Sequence, residues 1–448
     1  MSFLPFDYST DDLKRSLKPG GAWLLADLYV FYLFAYPPSS SLYRKLHLFL
    51  LGLPIGYAFI QSDQISRNYT VVDTFGRFLL IWYVNASYKL CVLEFAPVVR
   101  EGTRWKERMK QAYAVLFDRN HVTGFNRADT LLPLNGDVQQ YVATDKKTDE
   151  PLLLLQNTPV LPESYRHNYT RSRFVCYHIA KGLLFHTLRS AFEFYDDHYS
   201  ALTLHRAHID LYNLDFFRRL PTSLSLLELR YRAETAFEWN AISLLLYETW
   251  HSFFAVLWVG SHVNAPSEWP LALFGPISEA YSVRRFWGKH WHTYVYYALS
   301  GHVKIVTRRW LGFRRGALST RLLENSLVFL VSGLMHSLVR WQQSPLGDPW
   351  SIALWYVGQM IPIVVEGVVV NVWRKVRKWC GFGGEVGWLD RVEYAVGYLW
   401  VFGWFMWSVP KYLNTRMKWS DAIMRRRFGV EQDYGTEGNW GNETGPED

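Results

Sequence analysis

The chain carries about eight apolar runs, each 15–24 residues long, and no other feature constrains its fold as much. They are Ala22–Tyr36, Leu46–Gln61, Phe75–Val98, Phe174–Ser190, Ala236–Val259, Ser326–Trp341, Trp350–Trp373 and Val392–Val409. A bilayer core takes about 20 mostly apolar residues per helix. In hydrocarbon a helix satisfies all its backbone groups within its own segment. The pattern predicts an all-α, polytopic membrane protein with about eight transmembrane helices. A mean hydropathy of −0.08 requires a substantial polar part outside the bilayer. Aromatics make up 17% of the chain, including 21 Trp and 28 Tyr, and Trp and Tyr favour membrane–water interfaces.

The net charge of +8 fits either nucleic acid or an anionic membrane face. The basic residues flank apolar runs and form no stripe with stacking aromatics, so the expected partner is the lipid bilayer and not nucleic acid. Cys91, Cys176 and Cys380 have no paired spacing, which argues against a disulfide scaffold and against a metal site. No signal peptide is expected: Asp7, Asp11 and Asp12 precede Lys14 and Arg15, and the first apolar run comes late.

Lys and Arg at the ends of the runs set orientation. Arg44 and Lys45, Arg100 to Lys110, Arg308 to Arg321, and Arg374 to Lys378 can all be cytosolic with a lumenal N-terminus. Asn68-Tyr-Thr then lies on the lumenal side, as a glycosylation acceptor must. The C-terminus conflicts, because Lys411, Arg416, Lys418 and Arg425–Arg427 look cytosolic where the count of runs makes them lumenal.

Polar residues inside the runs mark candidate chemistry, since each is costly in lipid. His336 is about a dozen residues into its run, about 16 Å deep at 1.5 Å per residue. Ser332 and Gly333 share its face, and Gly333 leaves room for a narrow ligand or a close neighbouring helix. Gln359 and Glu366 are seven apart on the next run, with Pro362 between them. About forty residues before His336 stands Arg285-Phe-Trp-Gly-Lys-His-Trp-His292. By residue type alone, His336 is either a tie between helices or a chemical group, Glu366 leans structural, and the Arg285–His292 cluster can be an interfacial belt.

Three ordered motifs carry a resemblance. Glu268-Trp-Pro-Leu-Ala-Leu-Phe-Gly275, then Ser282-Val-Arg-Arg-Phe-Trp-Gly-Lys-His-Trp-His292, then Phe329-Leu-Val-Ser-Gly-Leu-Met-His336 resemble the wax synthase-like branch of the membrane-bound O-acyltransferases. The resemblance covers residues 265–410 and extends to the N-terminal half only in layout. It implies that His336 is catalytic, with His292 as its partner. Many plant wax synthases have Asn in place of His292 and His-Glu in place of His336-Ser337. The His form resembles fungal members that acetylate terpenoid or meroterpenoid alcohols. The implied organisation is N-terminal transmembrane helices over 1–99 and a cytosolic extramembrane segment over 100–173. Transmembrane and interfacial helices follow over 174–264, then a catalytic region over 265–412 and a polar C-terminal tail over 413–448.

The chemistry suits these residues. A buried neutral imidazole can take the proton of an alcohol as it attacks a thioester carbonyl. The oxyanion needs a donor such as His292 or a backbone amide. Arg285, Trp287, Lys289 and Trp291 are the expected acyl-CoA contacts, with Arg284, Arg308 and Arg309 nearby for its phosphates. Ser332, Gly333, Gln359 and Glu366 line the site. The expected activity is transfer of acetyl from acetyl-CoA, as co-substrate, to a lipophilic alcohol, with no tightly bound cofactor. The alternatives are a long-chain acyl-CoA:alcohol wax ester synthase and a non-catalytic transporter or scaffold. The expected location is a membrane, multi-pass, in the endoplasmic reticulum.

Overall fold

The computed structural model describes residues 10–66, 69–97, 105–116, 167–205, 225–291, 296–343, 349–382 and 387–428. All regular structure among them is helical. The longer helices are α1 (Thr10–Ala35), α2 (Ser41–Ile60), α3 (Tyr69–Ser87), α4 (Trp105–Leu116), α5 (Arg171–Tyr199), α6 (Leu226–Gly260), α7 (Tyr296–Lys304), α8 (Leu318–Gln343), α9 (Pro349–Gly358), α10 (Met360–Trp379) and α11 (Gly387–Phe428). Seven of the eight apolar runs fall within, or nearly within, one of these helices or the broken pair α9–α10; Phe75–Val98 does not, since α3 ends at Ser87, a π-turn covers Tyr88–Val92 and Leu93–Pro97 are not helical. Among the described residues, Leu226–Gly260, Leu318–Gln342 and Trp350–Trp379 are long and apolar enough to cross a membrane by length and composition.

Large apolar side chains stand exposed along the helices: Leu25, Leu53, Phe253, Val368 and Leu399 are more than half exposed. In water such a surface would drive association. Against lipid tails it is the stable outer face of a helix bundle. Inside, α1–α4 close around Val30, Phe34, Leu51 and Leu79. A second core joins α6, α9 and α11 around Phe286, Trp355 and Phe405. α5 packs along α6, and α8 packs against α9 and α3.

Helix starts follow local chemistry. Thr170 and Ser225 accept bonds from the amides of Arg173 and Glu228, capping α5 and α6. The run Trp350–Trp373 is interrupted at Gln359, between α9 and α10. Pro362 explains the position: it has no N–H for the Gly358 carbonyl, and its ring crowds that oxygen.

Two expectations shift. α8 begins eight residues before the expected Ser326, at Leu318. His336 therefore lies about 27 Å from that end and about 10 Å from Gln343, closer to the far side than the sequence suggested. Where the sequence begins a polar tail at 413, α11 continues through Phe428. Most of the expected extramembrane segment, residues 206–224 of the expected transmembrane and interfacial region, Asn68, His292 and residues 429–448 lie outside the described residues.

Candidate active site

The first two motifs form one folded unit, built on close backbone contacts and two carboxylates, Glu248 buried and Glu366 half-buried. Gly275 donates its N–H to the His290 carbonyl at 2.9 Å, and His290 Nδ1 donates to the Gly275 carbonyl at 2.8 Å. A side chain at Gly275 would put its Cβ 1.9 Å from the Lys289 oxygen, so the last residue of Leu273-Phe-Gly275 must be glycine. Burial lowers the proton affinity of His290, against the opposing pull of its bonds to the Gly275 and Pro276 carbonyls. His290 is therefore neutral and serves as a structural clip. Glu248 of α6 anchors the preceding residues. Its Oε1 accepts from the amides of Leu273 and Phe274 at 2.7 and 2.9 Å, and its Oε2 accepts from Lys181 Nζ of α5 at 2.6 Å.

Ser282 caps a single helical turn, Val283–Arg285, by accepting from the Arg285 amide. The chain then widens into a π-turn over Phe286–His290, closed by the Trp291 amide on the Phe286 carbonyl at 2.7 Å. Glu366 accepts from the amides of Val283 and Arg284 and from Trp400 Nε1. Its role here is to hold the start of the second motif, in line with the structural reading of that carboxylate.

Gln359, fully buried at the α9–α10 break, does the same from the other side. Its Oε1 accepts from Trp287 Nε1 at 3.3 Å and Trp404 Nε1 at 2.9 Å, and its Nε2 donates to the Trp355 carbonyl. Trp291 stacks on Trp239, with centroids 4.9 Å apart and planes at 9°. Trp287 meets Phe329 of the third motif edge-on at 5.7 Å, which joins the second motif to the His336 helix. Of the cations, Arg285 pairs with Glu279 and lies over the Tyr281 ring, and Arg308 is bidentate on Glu324. Arg284, Lys289 and Arg309 are exposed.

His336 is half-buried on α8. Its ring lies parallel to that of Tyr356 on α9, with centroids 4.7 Å apart and planes at 12°. Gly333 serves a close helix and not a narrow ligand: a Cβ there would meet Ala353 Cα at 2.8 Å. Ser337 donates to the Gly333 carbonyl at 2.9 Å, and Ser332 stands half-buried one turn before His336. The structure thus brings Trp287, Trp291, Gln359 and Glu366 into one unit adjoining α8. It turns Arg285 toward Glu279 and leaves Lys289 on the surface. Sequence reasoning missed Glu248, Lys181 and Tyr356. The first two carried the same signal as Glu366, an ionisable residue inside an apolar run. Among the described residues, no group of His, Cys, Asp and Glu is disposed to hold a metal ion.

These motifs also decide what the chain resembles. Residues 269–357 match the Membrane bound O-acyl transferase family. The matched stretch begins at Trp269, includes the π-turn and ends just past Tyr356. Acetyltransferase nanB of Aspergillus nanangensis is 29% identical over 204 residues, 46% of this chain and 48% of that protein. Acetyltransferase aurG of Calcarisporium arbuscula is 30% identical over 188 residues, 40% of this chain and 42% of that one. Acetyltransferase fsoF of Humicola fuscoatra is 32% identical over 198 residues, 43% and 46% respectively. The match to each of these curated relatives spans less than half of its length. No solved structure matches significantly. The resemblance to this family and to fungal acetyltransferases, like the all-α membrane architecture, therefore holds.

Proposed function

We propose that the chain is a membrane-bound, acyl-CoA-dependent O-acetyltransferase. It transfers acetyl from acetyl-CoA to a hydroxyl of a lipophilic terpenoid or meroterpenoid alcohol, in fungal secondary metabolism, at the endoplasmic reticulum. One observation carries the reading: the stretch that matches the family is the stretch whose three motifs pack into one unit around α8, with His336 on that helix. The names of the relatives, all acetyltransferases, favour acetyl as the group transferred.

In this reading His336 is the general base. As the alcohol oxygen attacks the thioester carbonyl, the imidazole takes its proton, the new C–O bond forms and the C–S bond breaks. The proton then leaves with the CoA thiolate. A general base has to meet the alcohol with a ring nitrogen free to accept the proton. His292, next in sequence to the stacked Trp291, donates a hydrogen bond to the developing oxyanion. The exposed Arg284, Lys289 and Arg309 are placed to meet the anionic end of CoA from solvent, whereas Arg285 and Arg308 are held by carboxylates. An apolar alcohol enters from the bilayer.

The test is turnover by microsomes containing the full chain, supplied with a lipophilic terpenoid alcohol and a series of acyl-CoAs. His336→Ala is expected to abolish transfer while expression and membrane insertion stay intact. His292→Ala is expected to be weaker in effect, with partial rescue by His292→Asn, because Asn also donates a hydrogen bond. Ample product from His336→Ala would remove the base assignment. Acetyl-CoA is expected to outcompete palmitoyl-CoA, and a rate rising with chain length would replace this reading with a wax ester synthase.

A further inference from the structure

Tyr356 is the aromatic neighbour of His336 to which the reading above gives no role. Stacked this closely and nearly parallel, its ring restricts the plane of the imidazole. Tyr356 in turn is fixed. Its hydroxyl is hydrogen-bonded with Tyr412 of α11, whose ring stacks on Trp355 at 4.4 Å.

Behind these tyrosines lies a buried charge cluster. Asp73 of α3 pairs with Arg77, one turn on, and with Arg340 Nη2 of α8 at 2.9 Å. The Asp73 and Arg340 side chains are 3% and 1% exposed. Arg77 is close enough to Tyr356 and Tyr412 for its charge to be felt at both rings. Arg340 is four residues after His336, on the same face of α8. Gly76 makes the approach of α3 possible, since a Cβ there would come within 3.2 Å of Val339 Cγ1. The imidazole is thus braced by a stacked ring from α9, and the helix that carries it is bridged to α3 one turn away.

We propose that Tyr356 is a positioning residue for His336, itself held by Tyr412, while the Asp73–Arg340 pair ties the helix that carries His336 to α3. The proposal rests on His336 being the base. A general base must aim one nitrogen at the attacking hydroxyl, and small misplacements of a reacting group are costly in rate. An unbraced imidazole on a helix rotates about two side-chain bonds. The stack removes that freedom before substrate arrives.

The experiment uses the detergent-solubilised full chain with Tyr356→Leu, Tyr356→Phe and Tyr412→Phe. The first readout needs no substrate: the rate at which diethyl pyrocarbonate modifies His336, followed by peptide mass spectrometry. Tyr356→Leu is expected to raise that rate at least about threefold, because the covering ring is gone. The second readout is kinetic. Tyr356→Leu is expected to lower kcat about 10–100-fold with KM for acetyl-CoA unchanged. Tyr356→Phe and Tyr412→Phe delete the same hydrogen bond, so each is expected to lower kcat about threefold, and the double variant no further. An unchanged modification rate in folded Tyr356→Leu overturns the proposal, and so does a parental kcat. Should Tyr356→Leu fail to fold, the two Phe variants decide: parental kcat in both, or fully additive losses, overturns it. Activity in His336→Ala would instead remove the function reading, while the modification result would still report on the brace.

Discussion

At the scale of single residues, the glycines of the motifs separate by what surrounds them. Gly275 is there because two backbones touch. Gly275→Ala forces the Lys289 carbonyl away and breaks both bonds between Gly275 and His290. The expected cost is about 1–3 kcal/mol, as for other overpacked contacts. Turnover should fall at least tenfold, since the displaced end of the π-turn leads directly into His292. Gly288, in the middle of Phe286-Trp-Gly-Lys-His290, has open space where its Cβ would sit. Gly288→Ala should therefore keep both stability and turnover within about twofold, on the usual range for surface changes. Thermal unfolding in detergent beside an acyl-transfer assay checks both. Equal damage from the two alanines would contradict the close contact at Gly275.

At the scale of elements, α5 and α6 hold the first motif through Lys181 and Glu248. Glu248→Ala strands a buried ammonium and two amides, with an expected loss of about 3–5 kcal/mol. Glu248→Gln keeps one carbonyl oxygen for the amides of Leu273 and Phe274, so its loss of stability should be smaller. Melting temperatures of the two variants test this, and a larger loss for Gln than for Ala would contradict the anchoring role.

The elements themselves were legible, because long apolar runs force helices whatever they pack against. The break at Gln359 was not: the run was read as one span, with Pro362 noted between Gln359 and Glu366, and the helix is interrupted just before that proline. Nor was the packing of the site. Gln359 and Glu366 showed in the sequence as polar residues on an apolar helix, yet their partners, Trp287, Trp404, Trp400 and the Val283 amide, are distant in sequence and carry no periodic signal. Arg285 looked free because its partner Glu279 ends a separate short turn, Ile277–Glu279, whose orientation to Arg285 no spacing in the sequence reveals. Lys181 and Glu248 were visible by the same rule that flagged Glu366.

At the scale of the whole molecule, sidedness is the open variable that a simple measurement resolves. Asn168 is exposed just before α5, and Thr170 of its Asn-Tyr-Thr sequence caps that helix. With 100–173 on the cytosolic side, Asn168 should carry no glycan and Asn68 should carry one. Endoglycosidase treatment should shift the parent chain, and Asn68→Gln should abolish that shift while Asn168→Gln leaves it. A shift that depends on Asn168 would invert the arrangement.

The ion pair between Asp73 and Arg340 bears on how this chain can be divided. The match to the family spans residues 269–357, which invites treating that stretch as a portable unit. Arg340 lies inside it, and its carboxylate partner lies on α3, far outside. A fragment starting at 265 would carry a guanidinium into lipid without that counter-charge, together with a helix face at Val339 shaped for a glycine it no longer meets. Inheritance of the site, in a shuffled gene or an engineered chimera, therefore has to include the N-terminal helices. The stretch that matches the family is fastened to a helix outside it by a pair of charges that are both almost fully buried.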